Sequence, residues 1–392
     1  MLLAGIRVLD FGRYIAGPYC ACLLADLGAD VIRVEKIAGS EDRLLIPVAH
    51  NDGGAMFLQS NRNKRSLTLD PTNPDGARIV RDLVSEADVV VANAPRQILA
   101  RMGIDYESLA QINPHIILTT IDAYDEPGPW SDRLGFDGVG QAICGSAFLS
   151  GDPDLPSKSY VPWVDFLAAT IAAFGTMAAL AERERTGRGQ HVHSSLLASA
   201  LTVANSALIE QSVIGPNRVA TQNRSQVAAP ADIFRTTDGW VIVQVVGDQL
   251  FRRWVGLMGE EQWLTDSRFA SDQSRGDHRD TLCQAMAAWC SVRSTATALD
   301  ELAAVGIPAG PVYSPQQVLD DPHIRATGLL KPTPYPETPS PPPLVDTPVS
   351  FSVTAAGIHH RPPRLGEHTD QILSELGYTT TAIARLRDEA VI

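Results

Sequence analysis

The stretch that decides the fold is residues 160–197, YVPWVDFLAATIAAFGTMAALAERERTGRGQHVHSSLL. Large apolar side chains recur there near helical spacing and predict one long helix that buries them: Phe166, Leu167, Ile171, Phe174, Met177 and Leu180. A charged turn followed by Gly187 and Gly189 is typical of a helix end, and residues 191–197 are predicted to form a strand. One acid, Asp165, stands at the start of this helix.

Asp165 has two interpretations. An acid in the first helical turn commonly accepts hydrogen bonds from free backbone N–H groups and complements the helix dipole. A carboxylate facing an apolar wall is also poorly solvated, which makes it a candidate nucleophile toward an acyl carbon. Spacing alone favours capping, and the choice depends on the rest of the chain.

Segments on the amino-terminal side alternate between strands and helices. In chain order the predicted strands are residues 5–10, 29–35, 88–92 and 115–121, and the predicted helices are residues 18–27, 75–86 and 97–102. Repeated strand–helix–strand units predict an α/β fold with a Rossmann-like, doubly wound parallel sheet.

The first of these units is similar to a nucleotide-binding unit but lacks both standard phosphate motifs. Its loop, residues 11–18, contains only Gly12 and Gly17, so the GxGxxG fingerprint is absent, and no P-loop lysine follows. Free N–H groups at a helix start bind phosphate without a named motif. A nucleotide-like ligand therefore stays open.

The pattern changes after Gly215. Residues 232–245 predict a hairpin with Asp238 and Gly239 in its turn. We place a smaller α+β domain at residues 222–322, with the large domain formed by residues 1–221 plus 323–392. The proline-dense residues 333–348 are predicted to be an extended strap.

Composition limits the possible functions. A chain of 392 residues exceeds the usual size of one core, and its net charge of −13 argues against non-specific nucleic-acid binding. Five scattered cysteines indicate reduced thiols in a cytoplasmic protein, and we predict neither a signal peptide nor a membrane segment. His191 and His193 lack a third ligand nearby, so we predict no metal site.

Seven segments carry a resemblance to known proteins. They are VLDFGRYIAGPYCACLLADLGADVIRVEK, NRNKRSLTLD, RMGIDYESLAQINPHIILTTI, VDFLAATIAAFGTMAALAERERTGRGQHVHSSLL, FRTTDGWVIV, GIPAGPVYSPQQVLDDPHIRATGLL and RPPRLGEHTDQILSELGY. In this order, and over nearly the full length, they resemble the class III CoA-transferase family. That family includes carnitine and formyl-CoA transferases and the α-methylacyl-CoA racemases.

The resemblance implies a function and a site. It implies an interlocked, ring-shaped homodimer that moves CoA from an acyl-CoA donor to a carboxylic acid acceptor, with no permanently bound cofactor. Asp165 would be the nucleophile, forming a mixed anhydride and then an aspartyl-CoA thioester, and the helix start would depress its pKa. The implied CoA-binding residues are Arg13, Tyr14, Ala16, Lys36, Lys64, Arg65, Asn93, Arg101 and Met102.

Departures from the family pattern refine this expectation. Phe136 stands where racemases have a histidine acid/base, which favours transfer over two-base proton exchange. Ile15 replaces a glutamine of the formyl-CoA transferases, and the second domain lacks their tetraglycine lid, which argues against formyl/oxalate exchange. A racemase-like isomerase and a non-catalytic acyl-CoA- or dinucleotide-binding protein stay open as alternatives.

Overall fold

The computed structural model describes residues 1–49 and 52–392. In chain order the helices are α1 (Ala16–Asp26), α2 (Ala55–Ser60), α3 (Pro74–Ser85), α4 (Arg96–Met102), α5 (Tyr106–Ile112), α6 (Asp137–Ile143), α7 (Ser146–Leu149), α8 (Trp163–Thr186), α9 (Leu196–Ile214), α10 (Asp248–Met258), α11 (Asp272–Asp277), α12 (Arg279–Ser291), α13 (Thr295–Ala304), α14 (Pro315–Asp320), α15 (Pro322–Thr327), α16 (Thr369–Glu375) and α17 (Thr380–Asp388). Short 3₁₀ turns lie at Glu41–Leu44, Glu261–Leu264 and Ser267–Phe269.

The strands form four sheets. They are β1 (Arg7–Asp10), β2 (Asp30–Glu35), β3 (Lys64–Thr68), β4 (Val89–Ala92), β5 (Ile117–Asp122), β6 (Gly151–Asp152), β7 (Leu155–Pro156), β8 (His191–Ser195), β9 (Ala231–Arg235), β10 (Trp240–Gln244), β11 (Ala309–Pro311), β12 (Leu330–Pro332) and β13 (Pro343–Val345). The largest sheet has the order β3-β2-β1-β4-β5-β8, a three-stranded sheet has the order β11-β10-β9, and two ribbons pair β6 with β7 and β12 with β13.

The six-stranded sheet is parallel throughout, which confirms the predicted α/β class. Its central strand β1 places Val8 opposite Val31 of β2 and Val89 of β4. Two buried apolar clusters cover its faces, one built with α1 and α8 and the other with α3, α5, α16 and α17. Strand order reverses beside β1, and ligands of such sheets bind beyond the carboxyl ends of the strands at this switch point.

Helix α8 lies where the sequence predicts it, but small side chains make up most of its buried surface. Its buried side chains are mostly small, whereas the large apolar residue Phe174 is 76% exposed and Phe166, Leu167, Ile171 and Met177 are only partly buried. The small residues let α8 approach α1 closely across Ala168, Ala169 and Ala172. The predicted helix is confirmed, and Leu180 is buried with Phe166 and Met177 packed against the same core, but the prediction was wrong for Phe174.

The chain divides into two compact units. The large unit contains Met1–Cys144, Ser159–Val213 and His323–Ile392, and the small unit contains Gly145–Lys158 and Ile214–Pro322. The small unit differs from the predicted domain because it also takes in residues 214–221 and residues 145–158, where β6 and β7 pair as a ribbon. Its hairpin pairs β9 with β10 around Asp238 and Gly239, as expected.

Among the residues that the structure describes, two helices are long and apolar enough to cross a membrane by length and composition alone. Helix α8 has a mean hydropathy of 1.7 and is half buried within the structure, as core helices are. Helix α9 has a mean hydropathy of 1.2 with only 11% of its apolar window buried. Length and hydropathy therefore do not test the prediction that the chain lacks a membrane segment.

Candidate active site

Asp165 is the third residue of α8 and is only 9% exposed. The free N–H groups at this helix start are not capped by Asp165. Instead, the N–H groups of Val164 and Asp165 donate to Oδ2 of Asp137, at 2.7 and 3.1 Å. Within the described residues, the Asp165 carboxylate itself accepts no hydrogen bond. The capping interpretation of Asp165 is therefore wrong, and its carboxylate is left available for chemistry.

The environment of Asp165 reverses the expected direction of its pKa shift. Burial, together with the negative charge of Asp137, raises the pKa of Asp165 to about 7. The expectation of a depressed pKa assumed that the helix dipole acts on this side chain. Asp137 occupies the positive end of the helix instead, so Asp165 experiences desolvation and a like charge.

Asp137 and Gln141 are two residues that the sequence interpretation missed. Asp137 opens α6, and one turn later Nε2 of Gln141 donates to its Oδ1 at 2.5 Å. Oε1 of Gln141 accepts from the N–H of Ser159 at 2.8 Å. The available signal was the i, i+4 spacing of Asp137 and Gln141 immediately after Phe136.

Glycine brings α6 and α8 together at this point. A Cβ on Gly140 would lie 2.9 Å from Cγ1 of Val164, which is closer than real side chains approach. The absence of a side chain at residue 140 thus permits the contact through which Asp137 reaches the start of α8.

The loop after β1 borders the same region through Tyr14. Its backbone has φ = 61°, a left-handed conformation that costs free energy for a non-glycine residue and is often kept at functional sites. Asn93 holds this loop by accepting from the N–H of Arg13 at 2.7 Å and donating to its carbonyl at 2.9 Å. The Tyr14 ring packs edge-to-face on Phe136, with centroids 5.4 Å apart, and Phe136 is 58% exposed.

Four of the predicted CoA-binding residues line one cavity of about 440 Å³ at the carboxyl ends of β1 and β2. They are Arg13, Lys36, Arg101 and Met102. Apolar side chains, among them Leu69 and Ile98, complete the lining. Ala16 is buried at the start of α1 and packs in the core.

Lys64 and Arg65 are not among the residues that line this cavity, contrary to the predicted cluster. Lys64 is fully buried and donates to Oδ2 of Asp10 at 2.7 Å, to Oδ1 of Asn61 at 2.9 Å and to the carbonyl of Pro18 at 2.6 Å. These bonds use all three ammonium donors, so none is left for a ligand.

Arg65 lies near the amino-terminal ends of β2 and β3, away from the cavity, and its guanidinium pairs with Asp30 and with Glu375. Its neighbour Arg62 forms a buried bidentate pair with Asp26. The basic cluster at residues 61–65 thus supports the fold. Sequence could not separate these cations from ligand-binding ones because their carboxylate partners lie far away in the chain.

A buried ionic network lies beneath the cavity. Arg33 is paired with Asp42 at 2.8 Å, and Arg43 is paired bidentately with Glu35. Burial opposes ionisation of Glu35, but Arg33 and Arg43 outweigh it and hold its pKa down to about 2. Glu35 is therefore engaged as a structural ion rather than as a free ribose-binding acid.

The histidines and cysteines have ordinary surroundings. Nε2 of His193 contacts Asp122 at 3.0 Å, and Nε2 of His191 contacts the Thr120 hydroxyl at 2.8 Å. Within residues 1–49 and 52–392, no group of three or more His, Cys, Asp or Glu side chains is arranged to hold a metal ion. All five cysteines are free thiols, and all are buried.

Comparison with known proteins gives these features a family. The profile of CoA-transferase family III matches residues 3–369. The chain is 34% identical to a succinyl-CoA–D-citramalate CoA-transferase of Chloroflexus aurantiacus, covering 100% of this chain and 98% of that protein. It is also 34% identical to a succinate–glutarate CoA-transferase of Agrobacterium fabrum, covering 95% of each chain.

A solved structure agrees with this assignment. A CAIB/BAIF family protein from Brucella suis is 33% identical and superposes with a TM-score of 0.83, over 95% of this chain and 99% of that one. The profile match and the full-length relatives identify an enzyme that uses CoA thioesters. The chain belongs to CoA-transferase family III.

Proposed function

We propose that this enzyme moves CoA from an acyl-CoA to a carboxylic acid through covalent intermediates on Asp165. One observation carries the proposal: Asp165 is a buried carboxylate at a helix start where Asp137 takes the backbone N–H groups. A carboxylate without hydrogen bonds from its own helix is poorly stabilised as an anion, which favours nucleophilic attack.

Each half of the proposed reaction consists of two acyl exchanges. An Asp165 oxygen attacks the thioester carbon, CoA thiolate leaves, and a mixed anhydride forms. The thiolate then attacks the Asp165 carbonyl carbon, which releases the donor acid and leaves an aspartyl-CoA thioester. The acceptor carboxylate repeats both exchanges in reverse order, which regenerates the Asp165 carboxylate and forms the new acyl-CoA. No step consumes water, so the site must exclude it.

For substrates we propose dicarboxylic acids of four or five backbone carbons. The relatives named above act on succinyl-CoA, D-citramalate and glutarate, and they match this chain over nearly its full length. A mass-spectrometric screen of acyl-CoA donors against a carboxylic acid panel tests this proposal. We expect succinyl-CoA with a dicarboxylate acceptor to give the fastest exchange, and exclusive turnover of monocarboxylates would contradict it.

Racemisation is the second reaction considered, and the site does not favour it. A two-base mechanism needs a second titratable group beside the α-carbon. Phe136 has none, and its ring packs on Tyr14. Incorporation of solvent deuterium at the α-carbon without an acceptor acid would show that proton exchange occurs after all.

The cations that line the cavity at the ends of β1 and β2 can be tested by substitution. We expect Lys36→Ala and Arg101→Ala each to raise the KM for acyl-CoA about tenfold, because each removes a charge-assisted contact to a phosphate group, with kcat little changed. Steady-state kinetics measure both constants. Arg65→Ala is the matched comparison, since Arg65 lies near the amino-terminal ends of the strands and pairs with Asp30 and Glu375.

Arg65→Ala is expected to lower the Tm while leaving the KM for acyl-CoA unchanged. A rise in KM for Arg65→Ala, with none for Lys36→Ala or Arg101→Ala, would indicate that CoA binds at the basic cluster of residues 61–65. Lys36→Arg keeps the charge and should retain most of the affinity.

We also propose that the chain forms a homodimer in which the two copies interlock. Large apolar side chains stand exposed along α8 and α9, with Phe174 76% and Val213 75% exposed. Exposed apolar surface of this extent is typical of an obligate subunit interface. A second copy is the occupant that the resemblance to the family favours.

Light scattering after size-exclusion chromatography should give twice the chain mass without detergent. Two differently tagged dimers should fail to exchange subunits unless they are first unfolded, because interlocked chains cannot separate when folded. A monomer, or a protein that sediments with lipid vesicles, would contradict the dimer and assign α9 to another partner.

A further inference from the structure

Gln141 occupies an unusual position for a polar side chain. It lies on α6 and is 1% exposed, and its amide bridges Asp137 and the segment that leads into α8. Nε2 donates to Oδ1 of Asp137 at 2.5 Å, and Oε1 accepts from the N–H of Ser159 at 2.8 Å. A longer contact joins Nε2 to the carbonyl of Val161 at 3.4 Å.

These contacts form a continuous path to Asp165. Ser159 and Val161 belong to the segment that leads into α8, and Asp137 accepts from the N–H groups at the start of that helix. Gln141 therefore binds the Asp137 carboxylate with its Nε2 and the backbone segment that leads into α8 with its Oε1. Both oxygens of Asp137 are engaged, one by Gln141 and one by α8.

We infer that Gln141 is a positioning residue that fixes the start of α8 and thereby aims the Asp165 carboxylate at the acyl carbon. The inference rests on the proposed function of Asp165. Gln141 does not touch the substrate in this role, because it is buried behind Asp137.

The amide group is what this position requires. It must donate toward a carboxylate and accept from a backbone N–H at the same time, and a glutamine side chain does both without carrying charge. Leucine does neither. Glutamate accepts from Ser159 but donates to Asp137 only while it is protonated.

The pH dependence of the Gln141 variants can be interpreted because the titratable groups that surround Asp165 are known. Asp137 on α6 is the charged group that acts on Asp165 among the described residues. Helix α1 presents Tyr19 and Cys20 to α8, and burial raises the pKa of both, so they stay neutral near pH 7. Strands β5 and β8 present Thr119 and Val192.

The first variant is Gln141→Leu. We expect kcat to fall about 100-fold at every pH because the nucleophile is displaced, whereas the KM for acyl-CoA changes less than about threefold. Gln59→Leu is the matched control, since Gln59 also makes two amide hydrogen bonds, both to Val345, away from this site. Its kcat should equal that of the unchanged enzyme.

Gln141→Glu separates positioning from mere stability. In this variant the carboxyl groups of residues 137 and 141 share one proton, and they repel each other when that proton is lost. The unchanged enzyme should show a kcat/KM that rises with pH to a plateau. Gln141→Glu should show a bell, with near-normal activity on its acid side and loss on its alkaline side.

The outcomes are distinct. If Gln141→Leu keeps kcat within about twofold, or if Gln141→Glu has the same plateau as the unchanged enzyme, the inference is overturned. If Gln141→Leu does not fold, the shape of the Gln141→Glu profile still decides. Asp165→Ala measured in parallel identifies failure of the proposed function, because an active Asp165→Ala enzyme would remove the group that Gln141 is inferred to aim.

Discussion

Replacement of Asp165 by alanine is expected to lower kcat at least about 10,000-fold, because the covalent route through anhydride and thioester has no substitute nucleophile. Binding of acyl-CoA should persist, since the cavity that contains Lys36 and Arg101 is untouched. A coupled assay of acyl-CoA exchange measures the loss, and isothermal titration measures the retained affinity.

A chemical trap identifies the intermediate itself. Hydroxylamine added during turnover should convert the activated Asp165 carbonyl to a hydroxamate, seen as a mass increase on the peptide that contains residue 165. The adduct should require acyl-CoA. An Asp165→Ala enzyme with ordinary activity, or a hydroxamate on a different residue, would disprove the mechanism.

Asp165→Asn checks that inactivity is not misfolding. The folded-state pKa of Asp165 is raised from 3.8 to about 7, so the folded state favours the protonated form. The stability that this proton contributes is present at acid pH and is lost as pH rises through about 7. Asparagine is neutral at every pH, so Asp165→Asn should melt above the unchanged enzyme at about pH 8, with a difference that shrinks toward pH 4.

The same pKa sets the pH dependence of the reaction. Only the ionised carboxylate attacks, so kcat/KM should fall below pH 7 in proportion to the fraction ionised. A profile that is flat down to pH 5 would show that the free enzyme holds Asp165 at an ordinary pKa.

Replacement of Asp137 should lower kcat as strongly as replacement of Gln141 by leucine. Asp137→Ala removes the acceptor for the N–H groups of Val164 and Asp165, and we expect kcat to fall about 100-fold as the start of α8 shifts. The lost cap should also cost about 1–2 kcal/mol of stability. Steady-state kinetics and thermal melting measure the two effects separately.

Asp137→Asn divides the role of Asp137 into charge and geometry. It keeps an oxygen for the N–H groups but removes the negative charge that raises the pKa of Asp165. The acid limb of the kcat/KM profile should therefore move to lower pH. A limb that stays in place would mean that burial alone sets this pKa.

Asp105→Ala is the matched control for both variants. Asp105 caps α5 by accepting from the N–H of Ser108 at 3.0 Å, in a part of the large unit that does not border Asp165. It should lose a comparable amount of stability without any change in kcat. Equal losses of kcat in Asp105→Ala and Asp137→Ala would show that destabilisation alone explains the effect.

Several elements were predictable because their signals are local. The periodic run of α8, the strand–helix alternation and the Asp-Gly hairpin all depend on neighbours in sequence, and each is present. The buried face of α8 was not predictable in this way. Its alanines pack against α1, whereas Phe174, one of the large apolar side chains predicted to be buried, is exposed.

The candidate site divides along the same line. Asp165 was found through the family resemblance, but its raised pKa comes from burial and from Asp137, which lies 28 residues earlier in the chain. Lys64 was assigned to CoA by its position in the segment that resembles the family. Its partner Asp10 lies 54 residues away, so only the fold identifies Lys64 as structural.

The buried ionic network beneath the cavity gives the two kinds of cation different responses to ionic strength. Dissolved salt screens charges that face water, with a range of about 8 Å at physiological concentration, but it hardly reaches pairs inside the protein. Lys36 is mostly exposed, whereas Arg33, Asp42 and Glu35 are fully buried. If Lys36 binds CoA phosphates as proposed, rising salt should weaken that binding while the buried network keeps its shape, so that substrate affinity changes without loss of the fold.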